Sequence, residues 1–464
     1  MTDTIWLPDF ADTRESKYIV LVQSLREAIR SGVLEPGHKL PPVRELAWQL
    51  GITPGTVARA YKLAAEEGLV DTGVGRGTFV AGRSAPGFPV ADSLISTVQS
   101  GATDLRAART PDVGQESVIR TIMADLARQS PHGYLDYPNT DSKFPARSAA
   151  TDYIGQERAG RITPDDVVMG LGAQNTVIMA LQAILYGTHP VILTEELAYP
   201  GVRHAARLLR AQLIGVEMDD EGIRPDRLEE ALRRHGGQVL LLAAEVHSPT
   251  TIRTSLARKQ QIAAVARKYN LQIIEDDCHC ITRPDEPAFR GICPERAWFI
   301  SSLTKSVSAS LRFGYAVAPR GQSQIARQVA QSSFYGLPQP ILDICAELMR
   351  SGEADRIRQA VERRVASQVK QAVNALGKWD ISWREDVPFV WLKLPQGWRG
   401  SSFASTCEQE GIRIKAADEF ALPDGAAPNA VRLALNANIP SESYADALAR
   451  LSDLLSRPPT GVDF

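Results

Sequence analysis

Ser301-Ser302-Leu303-Thr304-Lys305-Ser306-Val307-Ser308-Ala309-Ser310-Leu311-Arg312-Phe313-Gly314-Tyr315 sets one lysine among hydroxyls and ahead of an arginine. Ser302, Thr304 and Arg312 carry groups suited to a dianionic phosphate. Lys305 offers a primary amine, the group that captures carbonyl compounds. By chemistry alone it is one lysine among many, and most lysines are solvated. The company it keeps is what singles it out.

Two other stretches supply what such a lysine needs. Val167-Val168-Met169 reads as a strand running into Gly172-Ala173-Gln174 and a helical pattern from Ala173 to Tyr186. Free backbone N–H groups at such a junction hold phosphate. Ile273-Ile274 ends in Glu275-Asp276-Asp277. A carboxylate at the C-terminal end of a strand in a parallel sheet faces the usual ligand crevice; a solvated loop with two acids is the alternative. A lysine, a carboxylate and a phosphate cup are the three requirements of a pyridoxal phosphate site.

Apolar runs at Pro190–Leu193, Gln238–Ala243, Leu271–Ile274 and Trp298–Ile300 alternate with helical patterns such as Arg258–Tyr269. That alternation predicts an α/β body with a mostly parallel sheet covered by helices. Val387–Leu392 and Ala430–Leu435 read as strands of a smaller C-terminal α+β subdomain. At 464 residues the chain exceeds a single core, so two or more domains are expected. No leader peptide is read at the N-terminus, and no run approaches the roughly 18 apolar residues of a membrane span. Cys278, Cys280, Cys293, Cys345 and Cys407 are odd in number and lack framework spacing, which suits a reducing cytoplasm. Cys278-His279-Cys280 lacks the four ligands of a metal site, so no metal is expected there.

The first part of the chain has a different grammar. Ile19, Val22, Leu25 and Ile29 lie at helical spacing up to Gly32. Pro41-Pro42 opens a second helix, Val43 to Leu50, ended by Gly51. Thr53 then caps a third that begins at Pro54 and runs to about Glu67. Leu69-Val70 and Gly77–Val80 flank a glycine-rich turn, Thr72-Gly73-Val74-Gly75-Arg76. This is a helix-turn-helix with a wing; a three-helix packing module with surface arginines is the plainer alternative. Net charge is −2 overall, yet Arg14 to Arg83 carries ten Lys and Arg against seven acids. Gly55 and Thr56 give a third helix room to approach a groove. Thr53, Arg59 and Arg44 can meet base edges or phosphates, and Arg76 a minor groove. Residues 14–83 are therefore read as a DNA-binding domain, 84–115 as a linker and 116–464 as the body.

Leu40-Pro41-Pro42-Val43-Arg44-Glu45-Leu46-Ala47, Thr53-Pro54-Gly55-Thr56-Val57-Ala58-Arg59-Ala60-Tyr61 and Gly75-Arg76-Gly77-Thr78-Phe79-Val80 resemble the GntR-type winged helix. The body resembles fold type I aminotransferases, in the order glycine-containing phosphate loop, Tyr199, Pro249-Thr250, Asp276, Lys305, Arg312, Arg432. Fused, the two look like the MocR subfamily of GntR regulators. The resemblance implies pyridoxal phosphate held as an aldimine on Lys305. It pairs Asp276 with the pyridine nitrogen and stacks Tyr199 on the ring. Gly172, Ala173, Gln174, Ser302, Thr304 and Arg312 take the phosphate, and Arg432 a substrate carboxylate. It further implies a homodimer on operator DNA that answers to an amino acid or amine. Tyr137 stands where the family sends a residue to the partner's phosphate site. Two positions depart from the enzymes. Ser248 replaces the asparagine expected at the ring hydroxyl, and His279 stands near the place of a tyrosine, with a charge expected to titrate near neutral pH. These changes favour sensing over turnover. An active aminotransferase with a DNA-binding head, or a sensor of pyridoxal phosphate itself, are the other readings.

Overall fold

The computed structural model describes residues 6–7, 17–66, 69–73, 77–81, 102–129, 133–422, 425, 427–436 and 438–457. The chain divides into two compact units, Met1–Ser93 and Leu94–Phe464.

In the first unit, α1 (Lys17–Arg30), α2 (Val43–Leu50) and α3 (Pro54–Glu66) precede an antiparallel pair, β1 (Val70–Gly73) and β2 (Gly77–Val80). Leu21, Val22 and Leu25 of α1 pack with Leu46, Ala47, Val57, Ala60, Tyr61, Val70 and Val80. The tight turn between α2 and α3 depends on Gly51, whose φ of +61° an L side chain rarely adopts. Thr53 caps α3 as expected, its Oγ1 accepting the Thr56 N–H at 3.3 Å. Tyr61 is anchored by donating to the Pro41 carbonyl at 2.9 Å. The wing strands pair as expected; the tip of the wing and Arg76 lie outside the described residues.

The second unit opens with β3 (Thr103–Asp104), α4 (Gln115–Gln129), α5 (Thr140–Ile154) and α6 (Gln156–Ala159). In chain order there follow β4 (Val167–Leu171), α7 (Gly172–Ile184), β5 (Val191–Glu195), α8 (Pro200–Leu208), β6 (Gln212–Val216) and a small hairpin of β7 (Met218–Asp219) and β8 (Gly222–Ile223). Then come β9 (Val239–Leu242), β10 (Gln272–Asp276), β11 (Ala297–Ser302) and β12 (Phe313–Val317). The central sheet has the order β4-β12-β11-β10-β9-β5-β6, parallel except for β12. Strands β9, β11 and β12 are buried along their whole length, which explains their uninterrupted apolar runs. The long helix Glu353–Leu376 leads into the smaller subdomain. There β13 (Ile381–Ser382), β14 (Phe389–Lys393), β15 (Ile412–Arg413), β16 (Lys415–Ala416) and β17 (Ala430–Ala434) follow, and β13-β14-β17-β16 form a sheet.

Residues 103–114, read from the sequence as the end of a linker, belong to this unit. β3 pairs with β15, and Leu105 sits in the main core. The sequence hid this because a two-residue strand has no periodicity to detect.

One buried polar knot fixes the strand ends that matter later. Arg158 of α6 binds Asp277 at 2.8 Å and reaches Glu245 at 3.4 Å and Glu275 at 3.5 Å, all four side chains being at most 8% exposed. Lys259 and Arg253 add further cations to Glu245. Arg158→Met leaves three carboxylates buried around a missing cation. Loss of one partner of a buried network costs about 3–5 kcal/mol, so the unfolding free energy of this unit, read from denaturant titration, should fall by that amount. A fall of less than about 1 kcal/mol, the scale of a surface ion pair, would deny the knot its role.

Candidate functional site

The expected site residues converge at the C-terminal ends of the parallel strands. β4 ends at α7, β5 leads to Tyr199, β9 to His247 and Ser248, and β10 ends on Asp276; β11 runs into the Lys305 loop, and Arg312 stands at the start of β12. This is the crevice that an open parallel sheet offers a ligand.

The phosphate cup is built by crowding. Gly172 has φ +81°, and a Cβ there would lie 2.6 Å from Arg312 Nη2. A Cβ on Gly314 would lie 2.4 Å from the Gly172 carbonyl carbon. Arg312, itself at φ +48°, donates to the Leu171 carbonyl at 2.9 Å. The start of α7 has no side-chain cap, so the N–H groups of its first turn, Ala173 and Gln174 among them, are left for a ligand. Thr304 Oγ1 is buried with no hydrogen-bond partner, and Ser302 Oγ accepts from the Thr304 N–H at 3.4 Å. Orphaned donors around a space kept open by two glycines fit a phosphate.

Lys305 Nζ donates to the Ala108 carbonyl at 2.7 Å. Burial holds its pKa below the usual lysine value; Cys278 pulls the other way, while Arg432 and Arg109 lower it further. The neutral, nucleophilic amine is therefore more populated than on a solvated lysine. Asp276 accepts the Cys278 N–H at 3.1 Å, and burial raises its pKa above the ordinary carboxylate range. A protonated ring nitrogen beside it would favour the ionised form.

Tyr199 precedes α8, and burial pushes its hydroxyl up to about 12. Gly201 is a residue the sequence did not flag: a Cβ there would meet both the Tyr199 ring and Gln174 Oε1 at 2.2 Å. Gln174 Nε2 donates to the Gly201 carbonyl at 2.9 Å, tying the phosphate loop to the Tyr199 turn.

One expectation needs correction. His279 does not titrate near neutral pH. It stands edge-on to Tyr199 and Phe389, at 6.3 Å and 5.6 Å, and burial with Lys305 and Arg432 nearby holds its pKa well below 6.5. The buried Ser248 Oγ accepts from Arg432 Nη1 at 2.9 Å, which leaves its own O–H as a donor. Arg432 lies between the faces of Phe389 (5.2 Å) and Phe420 (4.8 Å), and its Nη2 donates to the Arg106 carbonyl at 2.6 Å. Its Nε is buried without a partner, and burial pulls its pKa down to about 10, so it stays charged at neutral pH. A fork with a spare donor between two aromatic faces suits a carboxylate.

A model of aminotransferase class I and II matches residues 104–451. The chain belongs to this aminotransferase family. The model of the gntR family of bacterial regulatory proteins matches residues 17–80, so the whole has the arrangement of the MocR-type regulators. The HTH-type transcriptional regulator YdeF of Bacillus subtilis (strain 168) is 27% identical over 456 residues, 97% of this chain and 96% of its own. The HTH-type pyridoxine biosynthesis transcriptional regulator PdxR of Corynebacterium glutamicum is 24% identical over 66% of each chain. Among solved structures, the α-aminoadipate aminotransferase LysN of Thermus thermophilus, complexed with N-(5'-phosphopyridoxyl)-L-leucine, superposes with TM-score 0.66 at 22% identity, over 77% of this chain and 92% of its own. That likeness shows the fold. Pyridoxal phosphate is the cofactor for which the aminotransferase family's site is built, and the residues here fit it.

On the gntR-family domain, Arg44, Thr53, Gly55 and Arg59 are exposed and Thr56 half-exposed. A Cβ on Gly55 would meet only Thr53 Oγ1, at 3.9 Å, so nothing inside the domain demands that glycine. Arg59 lies over the Tyr18 ring at 4.2 Å, which holds the guanidinium on the α1 side of α3.

Gly172→Ala forces a side chain into a left-handed backbone, worth about 1–2 kcal/mol, and pushes Arg312 out of the cup. Pyridoxal phosphate affinity should fall about tenfold or more with the fold retained, as read by fluorescence titration; unchanged affinity would remove Gly172 and Arg312 from the cup. A second expectation concerns pH. His247 Nε2–H donates to the Leu197 carbonyl at 2.8 Å, its Nδ1 accepts from the Thr250 hydroxyl at 2.6 Å, and burial pulls its pKa down to about 4. The unfolded chain takes the proton near pH 6.5, while the folded chain refuses it until about 4. The neutral form's contribution is complete above pH 6.5 and is lost as the pH falls towards 4, by about 3 kcal/mol. His247→Gln should flatten the unfolding free energy over that window; an unaltered slope would mean that the imidazole already accepts a proton when folded.

Proposed function

We propose that this chain is a cytoplasmic, DNA-binding transcription regulator whose body holds pyridoxal phosphate on Lys305 and reads a small amino acid or amine. The observation that carries the reading is the pairing of an intact cofactor site with Arg432, a buried cation with an unspent donor, in a chain that also bears a gntR-family domain. When bound, the cofactor supplies an electrophilic carbonyl carbon and an electron-withdrawing ring.

The chain's own residues do the rest. Lys305 presents an amine whose pKa burial lowers, Asp276 sets a carboxyl group against the ring nitrogen, and Tyr199 offers a face to the ring. Ser302, Thr304, Arg312 and the first turn of α7 take the phosphate. Arg432 orients the effector's carboxylate. His279 is neutral and Ser248, in place of an asparagine, accepts from Arg432, so the groups that tune a transaminase's electronics are altered while those that bind are kept. This favours recognition over turnover. The complete binding set favours residual transamination as the second reading.

We further read the protein as a homodimer. Tyr134, Leu135, Tyr137 and Tyr335 are 48%, 99%, 76% and 63% exposed on one unit, with Tyr137 and Tyr335 stacked at 5.2 Å. Exposed large apolar side chains in such a group mark an interface, and a second copy is the partner that a regulator of paired half-sites needs.

Adding pyridoxal phosphate should give a visible absorbance band that Lys305→Ala abolishes; an equal band in the variant refutes the assignment. Arg432→Met should leave the band and weaken the spectral response to a responsive amino acid by about 100-fold, the scale of losing a buried charge pair. Release of a keto acid in the same tube would instead identify a working transaminase.

A further inference from the structure

The two cations of the site do not face empty space. Each is capped by a main-chain carbonyl, and both carbonyls come from one short segment. Lys305 Nζ donates to Ala108 at 2.7 Å, and Arg432 Nη2 to Arg106 at 2.6 Å. Carbonyl and side-chain directions alternate along extended chain, so positions two apart can serve one face. This segment, Thr103–Asp112, is fastened to both parts of the body. Thr103 and Leu105 donate backbone N–H groups to Gly411 and Arg413 at 2.9 and 2.8 Å. Thr110 Oγ1 donates to the Thr304 carbonyl, next to Lys305, at 2.7 Å. Asn438 donates to the Thr110 carbonyl and accepts from the Asp112 N–H, at 3.2 and 3.1 Å. By covalent continuity, the same segment is where the chain arrives from the DNA-binding domain.

We propose that Thr103–Asp112 is a strap that reports the state of the site, held down by the Ala108 and Arg106 carbonyls and released as Lys305 and Arg432 take a ligand. This rests on the reading of Lys305 as the cofactor anchor. Attaching Lys305 to an aldehyde turns the nitrogen's N–H bonds into a C=N bond, the aldehyde oxygen leaving as water. The nitrogen then has no proton arrangement that serves both the cofactor and Ala108 as before. A carboxylate that engages the Arg432 fork competes with the Arg106 carbonyl for Nη2, and an anion outcompetes a neutral carbonyl for a guanidinium. Each ligand thus removes one charge-assisted bond from the strap. The two events act in sequence on one element, which lets cofactor and effector couple without a further messenger. A differential interaction of this kind is what moves a two-state equilibrium.

Hydrogen–deuterium exchange on the full-length protein tests the strap without any measure of activity. Pyridoxal phosphate alone should speed exchange across residues 103–112 by about tenfold, as a local opening made easier. Lys305→Ala without cofactor should show the same fast exchange, because it removes the same bond, and adding cofactor to it should change nothing further. Thr110→Val with Asn438→Ala loosens the strap while leaving the cofactor residues intact. That variant should keep the absorbance band yet lose the cofactor-dependent change in exchange over residues 17–66. A band in the wild type with no change at 103–112, or a Lys305→Ala protein that exchanges like the unmodified apo chain, would overturn the proposal. Absence of any band in the wild type would instead overturn the Lys305 assignment, and the strap with it.

Discussion

The site depends on keeping a lysine amine and an arginine in a buried crevice where, among the described residues, no carboxylate is hydrogen-bonded to either. Burial disfavours both charges, and Arg432 lowers the Lys305 pKa further. The structure answers with neutral acceptors: the Ala108 carbonyl for Lys305, the Arg106 carbonyl and Ser248 hydroxyl for Arg432. Neutral acceptors satisfy the N–H groups but do not neutralise the charges. On the reading proposed above, an aldehyde would consume one charge and a carboxylate would pair the other.

The same economy explains the glycines. Phosphate binding needs bare backbone close to Arg312, so Gly172 and Gly314 pack main chain against main chain. Gly201 does the same for the ring-facing tyrosine, letting Gln174 link the two halves of the cofactor site. At each of these glycines a Cβ would collide with the site's own atoms, at 2.2 to 2.6 Å.

Much of this was legible in the sequence, and for identifiable reasons. Lys305, Asp276 and the Gly172 turn sit at junctions where period changes from strand to helix or loop, and such junctions leave a clear trace. The winged helix was legible because Gly51, Thr53 and Pro54 punctuate it. What was hidden had no side-chain signature. Ala108 and Arg106 act through carbonyls, which any residue provides, so residues 103–114 looked like linker. The neutrality of His279 follows from the burial contributed by Tyr199, Phe389 and their surroundings, which are 80 and 110 positions away in the chain. Ser248 was read against an asparagine's role, whereas its partner Arg432 lies 184 residues on.

The departures at His279 and Ser248 and the capping by the strap bear on one question: why an enzyme's site should serve a regulator. A catalyst profits when its groups strengthen interactions in the transition state, and a sensor profits when ligand binding changes what the protein binds to itself. On the reading proposed above, a hydroxyl that accepts from Arg432 serves the second, because it would hold the guanidinium in one place while its other donors change partners. A neutral imidazole beside two aromatic rings likewise gives the pocket shape without adding a charge. The binding groups of the aminotransferase fold are kept because they define the ligand. Around them the contacts are the chain's own: Ser248 accepts from the Arg432 side chain, His279 packs edge-on to Tyr199 and Phe389, and Lys305 and Arg432 donate to main-chain carbonyls.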